Sequence, residues 1–257
     1  MLKTLMTRLQ QGRRTIGYPR TLPVLPDRFR GMPVLDPARC SAGCEGCARA
    51  CPVQAVSMGA GALSVDLGSC LFCTACSDAC SAGALHFSND YRLAASSRSG
   101  LHAAAGSAYQ LAGELQREMK QLFGRSLRLR QVSAGGCNGC EVDVNVLNTV
   151  VFDIARFGIQ IVASPRHADG LLVTGPVSKN MEKALLKTYE AVPAPKLVIA
   201  SGACAISGGP FAGHAEVHDG VERLLPVDLF IPGCPPHPLT ILDGLLRLLG
   251  RIGSAGG

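Results

Sequence analysis

The chain has 257 residues, of which 47% are hydrophobic and 17% are charged, and its formal net charge is +6. It is long enough for one large domain or two smaller ones and apolar enough to bury a core. No apolar run reaches the roughly 18 uncharged residues of a membrane-spanning helix. No apolar stretch follows Arg13 and Arg14, so an export signal is not expected either. Nucleic acid is not an expected partner, because the chain has no Trp and its basic residues are largely scattered.

The first predicted segment, residues 1–36, combines many basic residues with several prolines. Prolines at this density interrupt regular structure. We therefore predict an extended N-terminal arm with one short helix over Leu2–Gln11. Two interpretations of the arm are open: it is a disordered tail, or it lies on a partner subunit.

A compact cysteine-rich unit is predicted for residues 37–90, where two runs of four cysteines are each followed by a short apolar segment. The first run is Cys40, Cys44, Cys47 and Cys51, and the second is Cys70, Cys73, Cys76 and Cys80. The apolar segments begin at Ala55–Val56 and at Ala84–Leu85. An internal duplication of this kind is typical of a ferredoxin domain with two [4Fe–4S] clusters, which makes electron transfer the first functional hypothesis.

The second run has the bacterial ferredoxin spacing Cys-x2-Cys-x2-Cys-x3-Cys, in which the fourth cysteine binds the other cluster. The predicted ligands of cluster 1 are Cys40, Cys44, Cys47 and Cys80, and those of cluster 2 are Cys70, Cys73, Cys76 and Cys51. The first run has an extra residue before Cys44, which Gly43 is expected to absorb. Ser81 stands where proline usually follows the fourth cysteine. Disulfides and zinc are the alternatives, and both fit this spacing poorly.

Residues 91–125 contain no cysteine and are predicted to connect the two halves of the chain. Leu101–Phe123 is rich in Ala, Leu, Glu, Gln and Lys, which predicts a helix with weak points at Gly106 and Gly113. Gly124 is its predicted end.

Strands and helices alternate over residues 126–257. Strands are predicted at Leu127–Val132, Ile159–Ala163, Leu171–Thr174, Lys196–Ala200 and Asp228–Ile231. Helices are predicted at Val142–Phe157, Ser178–Ala191 and Pro238–Leu249. This alternation predicts an α/β domain with a parallel sheet and helices on both faces.

The last four cysteines form a third set, in which every member has a glycine- or proline-rich context and follows a predicted strand. The set consists of Cys137, Cys140, Cys204 and Cys234. Ligands of open α/β sheets bind at the carboxyl ends of the strands. We therefore expect these four thiols to meet there and to hold a third [4Fe–4S] cluster. The alternative is four unrelated buried cysteines.

Five polar residues near the third set are weaker candidates. Glu141 and Asp143 are possible proton relays toward a partner, although the role of an acid at a helix N-terminus explains Glu141 better. Arg166 and His167 either touch a subunit interface or form a loop salt bridge. His237 is placed to donate to a cluster sulfur, although a surface histidine is the preferred interpretation.

Residues 126–250 resemble the small subunit of the membrane-bound, energy-converting (group 4) [NiFe]-hydrogenases, a family related to the cluster-bearing B subunit of respiratory complex I. The matching stretches are Gly136-Cys137-Asn138-Gly139-Cys140, Ser164-Pro165-Arg166-His167-Ala168-Asp169, Thr174-Gly175-Pro176-Val177-Ser178, Gly202-Ala203-Cys204 and Gly233-Cys234-Pro235-Pro236. Residues 1–90 resemble the two-cluster ferredoxin subunit of formate hydrogenlyase, including Arg28-Phe29-Arg30-Gly31. The complex I protein has two adjacent cysteines where this chain has Cys137-x-x-Cys140, which favours the hydrogenase.

The resemblance implies a fusion of two subunits, with a flavodoxin-like parallel-sheet domain behind an α+β 2[4Fe–4S] ferredoxin-like domain. The expected divisions are an arm at 1–36, the ferredoxin-like domain at 37–90, a helical connector at 91–125 and the small-subunit domain at 126–257. The implied function is electron transfer through three [4Fe–4S] clusters to or from a nickel–iron site. That catalytic site is expected on a partner chain.

The partners implied by the resemblance are the hydrogenase large subunit, membrane subunits, and an electron-donor subunit such as formate dehydrogenase or carbon monoxide dehydrogenase, or a ferredoxin. The implied location is peripheral, on the cytoplasmic side of the inner membrane. Two other functions stay open: a complex I-like quinone oxidoreductase subunit and a stand-alone electron carrier.

Overall fold

The computed structural model describes residues 2–41, 43–59, 62–123 and 126–253, so the predicted helix end at Gly124 lies outside the described residues. The α-helices are α1 (Leu2–Gln11), α2 (Gly46–Ala50), α3 (Ala75–Asp78), α4 (Arg117–Phe123), α5 (Gly139–Val146), α6 (Lys179–Ala191), α7 (Ala203–Ser207) and α8 (Pro238–Leu248). The strands are β1 (Pro33–Leu35), β2 (Val56–Gly59), β3 (Ala62–Asp66), β4 (Leu85–Phe87), β5 (His102–Ala104), β6 (Leu127–Ser133), β7 (Ile159–Ile161), β8 (Gly170–Thr174), β9 (Leu197–Ser201) and β10 (Leu229–Ile231). None of the helices in these ranges is long and apolar enough to cross a membrane.

A five-stranded parallel sheet in the order β10-β9-β8-β6-β7 is the frame of the C-terminal half. Counted along the chain, its strands lie in the order 2-1-3-4-5, which is the flavodoxin-like arrangement. β8 and β9 are buried along their whole length, as expected for parallel strands that are covered on both faces. The predicted α/β fold with a parallel sheet is therefore confirmed.

The two faces of this sheet belong to two parts of the apolar core. On one face, Leu172 and Ile199 share a cluster with apolar side chains of α5 and α8. On the other face, Val173 shares a cluster with Leu185 of α6 and with residues of the N-terminal half such as Leu101. The two halves of the chain therefore share one core rather than touching only at their surfaces.

The two cysteine runs of the N-terminal half fold alike. α2 and α3 are short helices that bury Cys47 and Cys76, and each is followed along the chain by a strand, β2 or β4. β1 pairs with β4, and β2, β3 and β5 form a second sheet, in which all pairings are antiparallel. The predicted α+β arrangement of this half is confirmed.

The long helix predicted over Leu101–Phe123 is wrong. Residues 99–101 form a 3-10 turn, β5 pairs antiparallel with β3, and the helix is limited to α4. Leu101 and Ala103 are buried in the N-terminal half, so packing and strand pairing override the helix propensity of this segment.

The helix predicted over Val142–Phe157 is also too long. α5 ends at Val146, and a separate 3-10 turn covers Ile154–Phe157. Asp153 has a left-handed backbone with φ of 47°, and short polar residues of this kind favour turns over helix interiors.

The N-terminal arm is held by the C-terminal half of the same chain. α1 has the predicted bounds. Beyond it, the Ile16 amide donates to the Val151 carbonyl at 2.9 Å, and the Arg156 guanidinium donates to the Ile16 and Tyr18 carbonyls at 2.9 and 3.1 Å. The disordered-tail interpretation is therefore wrong for residues 15–18, which bind the C-terminal half of the same chain. Contact of the arm with a partner subunit stays a prediction.

Tyr18 also completes a buried polar network on α8. Its hydroxyl donates to Oδ1 of Asp243 at 2.8 Å, and Nε of Arg247 donates to Oδ2 of the same carboxylate at 2.7 Å. Asp243 and Arg247 are only 1% and 2% exposed. A buried charge requires such partners, because leaving one unpaired costs several kcal/mol.

Candidate iron–sulfur centres

The first candidate centre is formed by Cys40, Cys44, Cys47 and Cys80. Cys47 is buried on α2, Cys40 and Cys80 are partly buried, and Cys44 is exposed on the loop before α2. Burial raises the pKa of the Cys47 thiol, and the thiols of Cys80 and Cys40 raise it further. Cys80 of the second run therefore lies beside the first run, as the crossed pattern of ligands requires.

The second candidate centre is formed by Cys51, Cys70, Cys73 and Cys76. Burial raises the pKa of Cys70 to about 12, with further contributions from the thiols of Cys76, Cys51 and Cys73. Burial also raises the pKa of Cys76 to about 11, and Cys51 and Cys73 again contribute. Cys51 of the first run therefore lies with the second run, just as Cys80 of the second run lies with the first.

Backbone amides approach the sulfurs of both centres in the same way. The Ala55 amide donates to Cys51 Sγ at 3.2 Å, and the Ala84 amide donates to Cys80 Sγ at 3.2 Å. Each donor lies four residues after its cysteine, so the duplication seen in the sequence is repeated in the hydrogen bonds. Such amides stabilise thiolate charge, and the donor set therefore fits thiolate-held clusters.

The third candidate centre lies at the carboxyl edge of the parallel sheet. Cys137 and Cys140 follow β6, Cys204 lies on α7 after β9, and Cys234 follows β10. Burial raises the pKa of Cys204 to about 11, and the thiols of Cys234 and Cys137 raise it further. Burial likewise raises the pKa of Cys140, with Cys204 as the next cause. The four thiols are brought together, and because Cys137 and Cys234 are exposed, they are not four unrelated core residues.

Tight backbone packing surrounds the third centre. Gly202 has φ of +93°, and a Cβ at this position would lie 2.6 Å from Cys140 Sγ. A Cβ on Gly209 would lie 3.0 Å from Cys204 Sγ. These glycines let the backbone come within contact of the thiols, where a side chain would displace them.

Zinc is a poor alternative for the cysteine sets. Within the described residues, no three Cys, His, Asp or Glu side chains are arranged to hold a single metal ion. A zinc site built from cysteines alone needs four thiolates on one ion, whereas the four thiolates of a [4Fe–4S] cluster bind different irons and stand farther apart.

The second and third centres adjoin each other. Burial raises the pKa of Cys234, and the thiols of Cys137 and Cys73 raise it further. Cys73 belongs to the N-terminal half of the chain. Nearby, the Ser207 hydroxyl donates to the Gly68 carbonyl at 3.1 Å. A Cβ on Gly68 would lie 2.8 Å from Cγ2 of Ile206. Backbone packing at Gly68 therefore fixes the spacing between the two centres, and no sequence pattern indicated this contact.

Glu141 is held inside its own domain. It is 7% exposed, and its Oε1 accepts hydrogen bonds of 2.6 Å from both the Ser133 and Thr174 hydroxyls. Burial raises the pKa of Glu141, but the hydrogen bonds from Ser133 and Thr174 outweigh it and the net pKa is lowered. Glu141 is therefore an ionised residue in the first turn of α5, and the relay suggested for it and Asp143 stays a prediction.

His237 is partly buried rather than fully at the surface, and donation from its ring to a cluster sulfur stays a prediction. Its Nδ1 accepts from the Leu239 amide at 3.2 Å at the start of α8, and its ring packs edge-on against Phe29, with centroids 5.2 Å apart. Burial lowers its pKa. His237 and Phe29 line a cavity of about 340 Å³ together with Cys234, Phe72 and Asp143. The sequence signal for this contact was the Arg28-Phe29-Arg30-Gly31 stretch.

Arg166 and His167 are both exposed in a 3-10 turn at Pro165–His167. Neither takes part in an ion pair among the described residues, so the loop salt bridge is not formed. Their role at a subunit interface stays a prediction.

We expect Gly202→Ala to lower the iron content of the third centre, because the new Cβ would displace the Cys140 thiol. Disturbance of a metal site by its supporting groups typically costs about 10- to 100-fold in affinity. The measurement is iron per purified chain, together with the low-temperature spin resonance spectrum of the reduced protein.

Gly213→Ala is the matched control, because Gly213 also has a positive φ, +78°, but a Cβ added there would have nothing within 4 Å. It imposes the same kind of backbone strain and leaves the thiols untouched. Equal loss of iron in both variants would show that strain, not contact with Cys140, is responsible.

Comparison with known proteins gives two family matches and a set of relatives. The family described as NADH ubiquinone oxidoreductase, 20 Kd subunit, matches residues 137–248, and the family described as 4Fe-4S dicluster domain matches residues 32–81. The second match includes both cysteine runs of the N-terminal half.

Three of the similar proteins are named as subunits of two kinds of complex. The probable membrane-bound hydrogenase subunit mbhJ of Pyrococcus furiosus is 42% identical over 54% of this chain and 84% of its own length. Formate hydrogenlyase subunit 7 of Escherichia coli is 45% identical over 50% of this chain, which spans only 50% of that relative. The B subunit of the NADH-quinone oxidoreductase of Heliobacterium modesticaldum is 41% identical over 46% of this chain and 69% of its own length.

Proposed function

Because the chain belongs to the family of the 20 kDa subunit of NADH ubiquinone oxidoreductase, we propose that it is an electron-transfer subunit of a membrane-bound hydrogenase. In this proposal it is the small subunit of a [NiFe]-hydrogenase. Electrons pass between two ferredoxin-type clusters and a proximal cluster, to or from the nickel–iron site of a large subunit. The nickel–iron site, where protons are reduced or hydrogen is oxidised, belongs to that partner.

The observation that carries the proposal is that Leu71 and Phe72, next to Cys73, line the same cavity as Cys234, and the Cys73 thiol contributes to the raised pKa of Cys234. It joins the cysteine-rich N-terminal half to the carboxyl edge of the parallel sheet, which is where ligands of this fold class bind. An electron carrier requires such adjacent centres, whereas a structural metal site does not. The Cys137-x-x-Cys140 pattern then favours the hydrogenase over complex I.

The proposed ligands are the three sets of four cysteines. The [4Fe–4S] clusters that they would hold supply one-electron chemistry over potentials from about −700 to +450 mV. The amides of Ala55 and Ala84 donate to ligand sulfurs and thereby favour the thiolate form. Ser207 and Gly68 hold the two halves in register, so the electron path is fixed by packing rather than by docking.

The proposed partners are the hydrogenase large subunit, membrane subunits, and an electron donor such as formate dehydrogenase, carbon monoxide dehydrogenase or a ferredoxin. Cys137, Cys234 and Val142 are exposed around the third centre, and we assign this surface to the large subunit. The proposed location is peripheral, on the cytoplasmic side of the inner membrane.

A second candidate function is that of a complex I-like quinone oxidoreductase subunit. It is favoured by relatives named as the B subunit of NADH-quinone oxidoreductase, which are 41% to 45% identical to this chain. A stand-alone electron carrier is the third candidate. A lone carrier would be expected to expose no large apolar patch, since such patches mark partner sites.

Anaerobic affinity purification of the chain from its native host tests the proposal. We expect nickel in the eluate, a co-eluting large subunit, and hydrogen-dependent reduction of viologen. Iron–sulfur clusters with quinone reduction but without nickel would support the complex I-like function. A monomer with intact clusters and no partners would support the carrier.

A further inference from the structure

Helix α1 has its apolar side turned away from the protein. Leu2, Leu5, Met6 and Leu9 are spaced to form one stripe along the helix. They are 75%, 59%, 59% and 80% exposed, respectively. α1 buries none of its residues. This is the reverse of a surface helix that packs on its own domain, which would bury the stripe.

The polar side of α1 faces the protein. A cavity of about 730 Å³ separates it from the C-terminal half and is lined by Lys3, Thr4, Thr7, Arg8, Gln11, Gly12, Arg13, Arg14, Thr15 and Val150. The helical residues of this lining lie opposite the apolar stripe, because positions three, four and seven apart share a face. The apolar stripe therefore faces away from the protein, and the polar side of α1 faces the cavity.

Among the described residues, the hydrogen bonds that join α1 to the rest of the protein lie just beyond its C-terminal end. The Gly12 amide closes the helix on the Arg8 carbonyl at 3.1 Å. The Thr15 hydroxyl then donates to the Val150 carbonyl at 2.8 Å. Val150, which is 71% exposed, continues the open surface next to the arm.

Positive charge surrounds the stripe. Residues 1–26 contain one Lys and four Arg but no Asp or Glu. Lys3 and Arg8 lie at the two edges of the polar side, next to the stripe, and Arg13 and Arg14 follow directly after the helix. All four residues are exposed as well as lining the cavity. None of these residues takes part in an ion pair among the described part of the chain. The charge is therefore available for an anionic surface.

We propose that α1 lies flat on an anionic lipid surface, with the apolar stripe at the level of the acyl chains and the basic residues at the phosphate headgroups. An exposed apolar stripe with basic flanks is the pattern of helices that bind in the plane of a membrane interface. Long basic side chains reach the headgroups while their stems stay near apolar surface. Charge complementarity selects the lipid surface over an apolar groove of a protein.

Vesicle flotation with the purified full chain, its clusters reconstituted anaerobically, tests this surface. We expect the chain to float with phosphatidylglycerol-containing vesicles and to be released by high salt, because surface charge is screened. Leu5→Glu combined with Leu9→Glu should lower the bound fraction at least tenfold. Arg13→Gln combined with Arg14→Gln should weaken binding roughly tenfold to thirtyfold, and only on anionic vesicles.

Val24→Glu combined with Leu122→Glu is the matched control. Both side chains are exposed, 100% and 60% respectively, and both lie outside α1. This pair adds the same charge without touching the stripe, and it should float like the natural chain. All of these side chains are at the surface, so the variants are expected to fold and to keep their cluster absorbance.

A fluorescent reporter gives a second measurement, because the chain contains no Trp. Leu9→Trp should show a blue-shifted emission with anionic vesicles and quenching by brominated lipids, whereas Leu122→Trp should show neither. The proposal is overturned if the chain stays unbound, or if the Leu5 and Leu9 variant floats like the control. It is also overturned if that variant floats normally but loses co-purifying subunits, since the stripe would then cover a protein.

Discussion

Under the proposed function, Cys204→Ala is expected to remove the proposed third cluster and to lower hydrogen-dependent viologen reduction by more than about a hundredfold, which is beyond the loss typical for a supporting residue. The reason is geometric: Cys204 is the buried member of the set, and Cys137, Cys140 and Cys234 surround it. The measurements are iron per chain, which should fall by about one third if the chain holds three clusters, and activity of the purified complex.

Ser207→Ala is the control for this prediction, because it truncates another side chain of α7 without removing a thiol. Its hydroxyl donates to the carbonyls of Gly68 and Ala203, both at 3.1 Å, so we expect a small loss of stability and full iron content. A Cys204→Ala protein with the iron content and activity of the natural chain would refute the assignment of the third centre.

Asp243→Asn is expected to give the largest loss of stability, about 3–5 kcal/mol, which corresponds to a fall of about 6–20 °C in the thermal midpoint. The change leaves the buried Arg247 guanidinium without its counter-charge and weakens the bond from Tyr18. An anaerobic thermal scan of the cluster-loaded chain measures it. Tyr18→Phe, which removes one hydrogen bond to the same carboxylate, should cost only about 1 kcal/mol.

The ion pair of Glu45 and Arg49 is the matched comparison, because it has the same i,i+4 spacing and a similar distance of 3.0 Å but is exposed. We expect Glu45→Gln to cost about 0.5 kcal/mol or less. Replacing both buried partners, as in Asp243→Leu with Arg247→Met, should recover most of the loss. No recovery in the double variant would mean that the pair itself, not an uncompensated charge, sets the stability.

The sheet of the C-terminal half was predictable because β8, β9 and β10 are short, mostly apolar runs between turn residues, and β6 alternates buried and exposed residues over most of its length. β8 and β9 are buried from end to end, so no polar residue interrupts the apolar run inside either strand. The order of the strands was implied only by the resemblance to a known family. The segment at His102–Ala104 was predicted wrongly, because its pairing with β3 is decided by a partner 38 residues away at Val65↔Ala103.

The grouping of cysteines within the N-terminal half followed from spacing, since a local repeat restricts where each thiol lies. Contacts between distant segments had no such signal. Tyr18 and Asp243 are 225 residues apart, and each is unremarkable in its own sequence context. The same holds for Cys73 and Cys234. Neither the ferredoxin repeat around Cys73 nor the strand end before Cys234 predicts that these two segments lie next to each other.

The core shared between the two halves affects how one candidate centre is supplied to the other and how fast electrons pass between them. A ferredoxin that diffuses to its acceptor arrives at a rate set by its concentration and by salt. Here Leu101 packs in the same cluster as Val173 and Phe230, so the second and third candidate centres are made together, in equal number, on one polypeptide. Dilution cannot separate them, and the effective concentration of one for the other is constant. Under the proposed function, electron transfer between the second and third candidate centres is therefore expected to be insensitive to ionic strength.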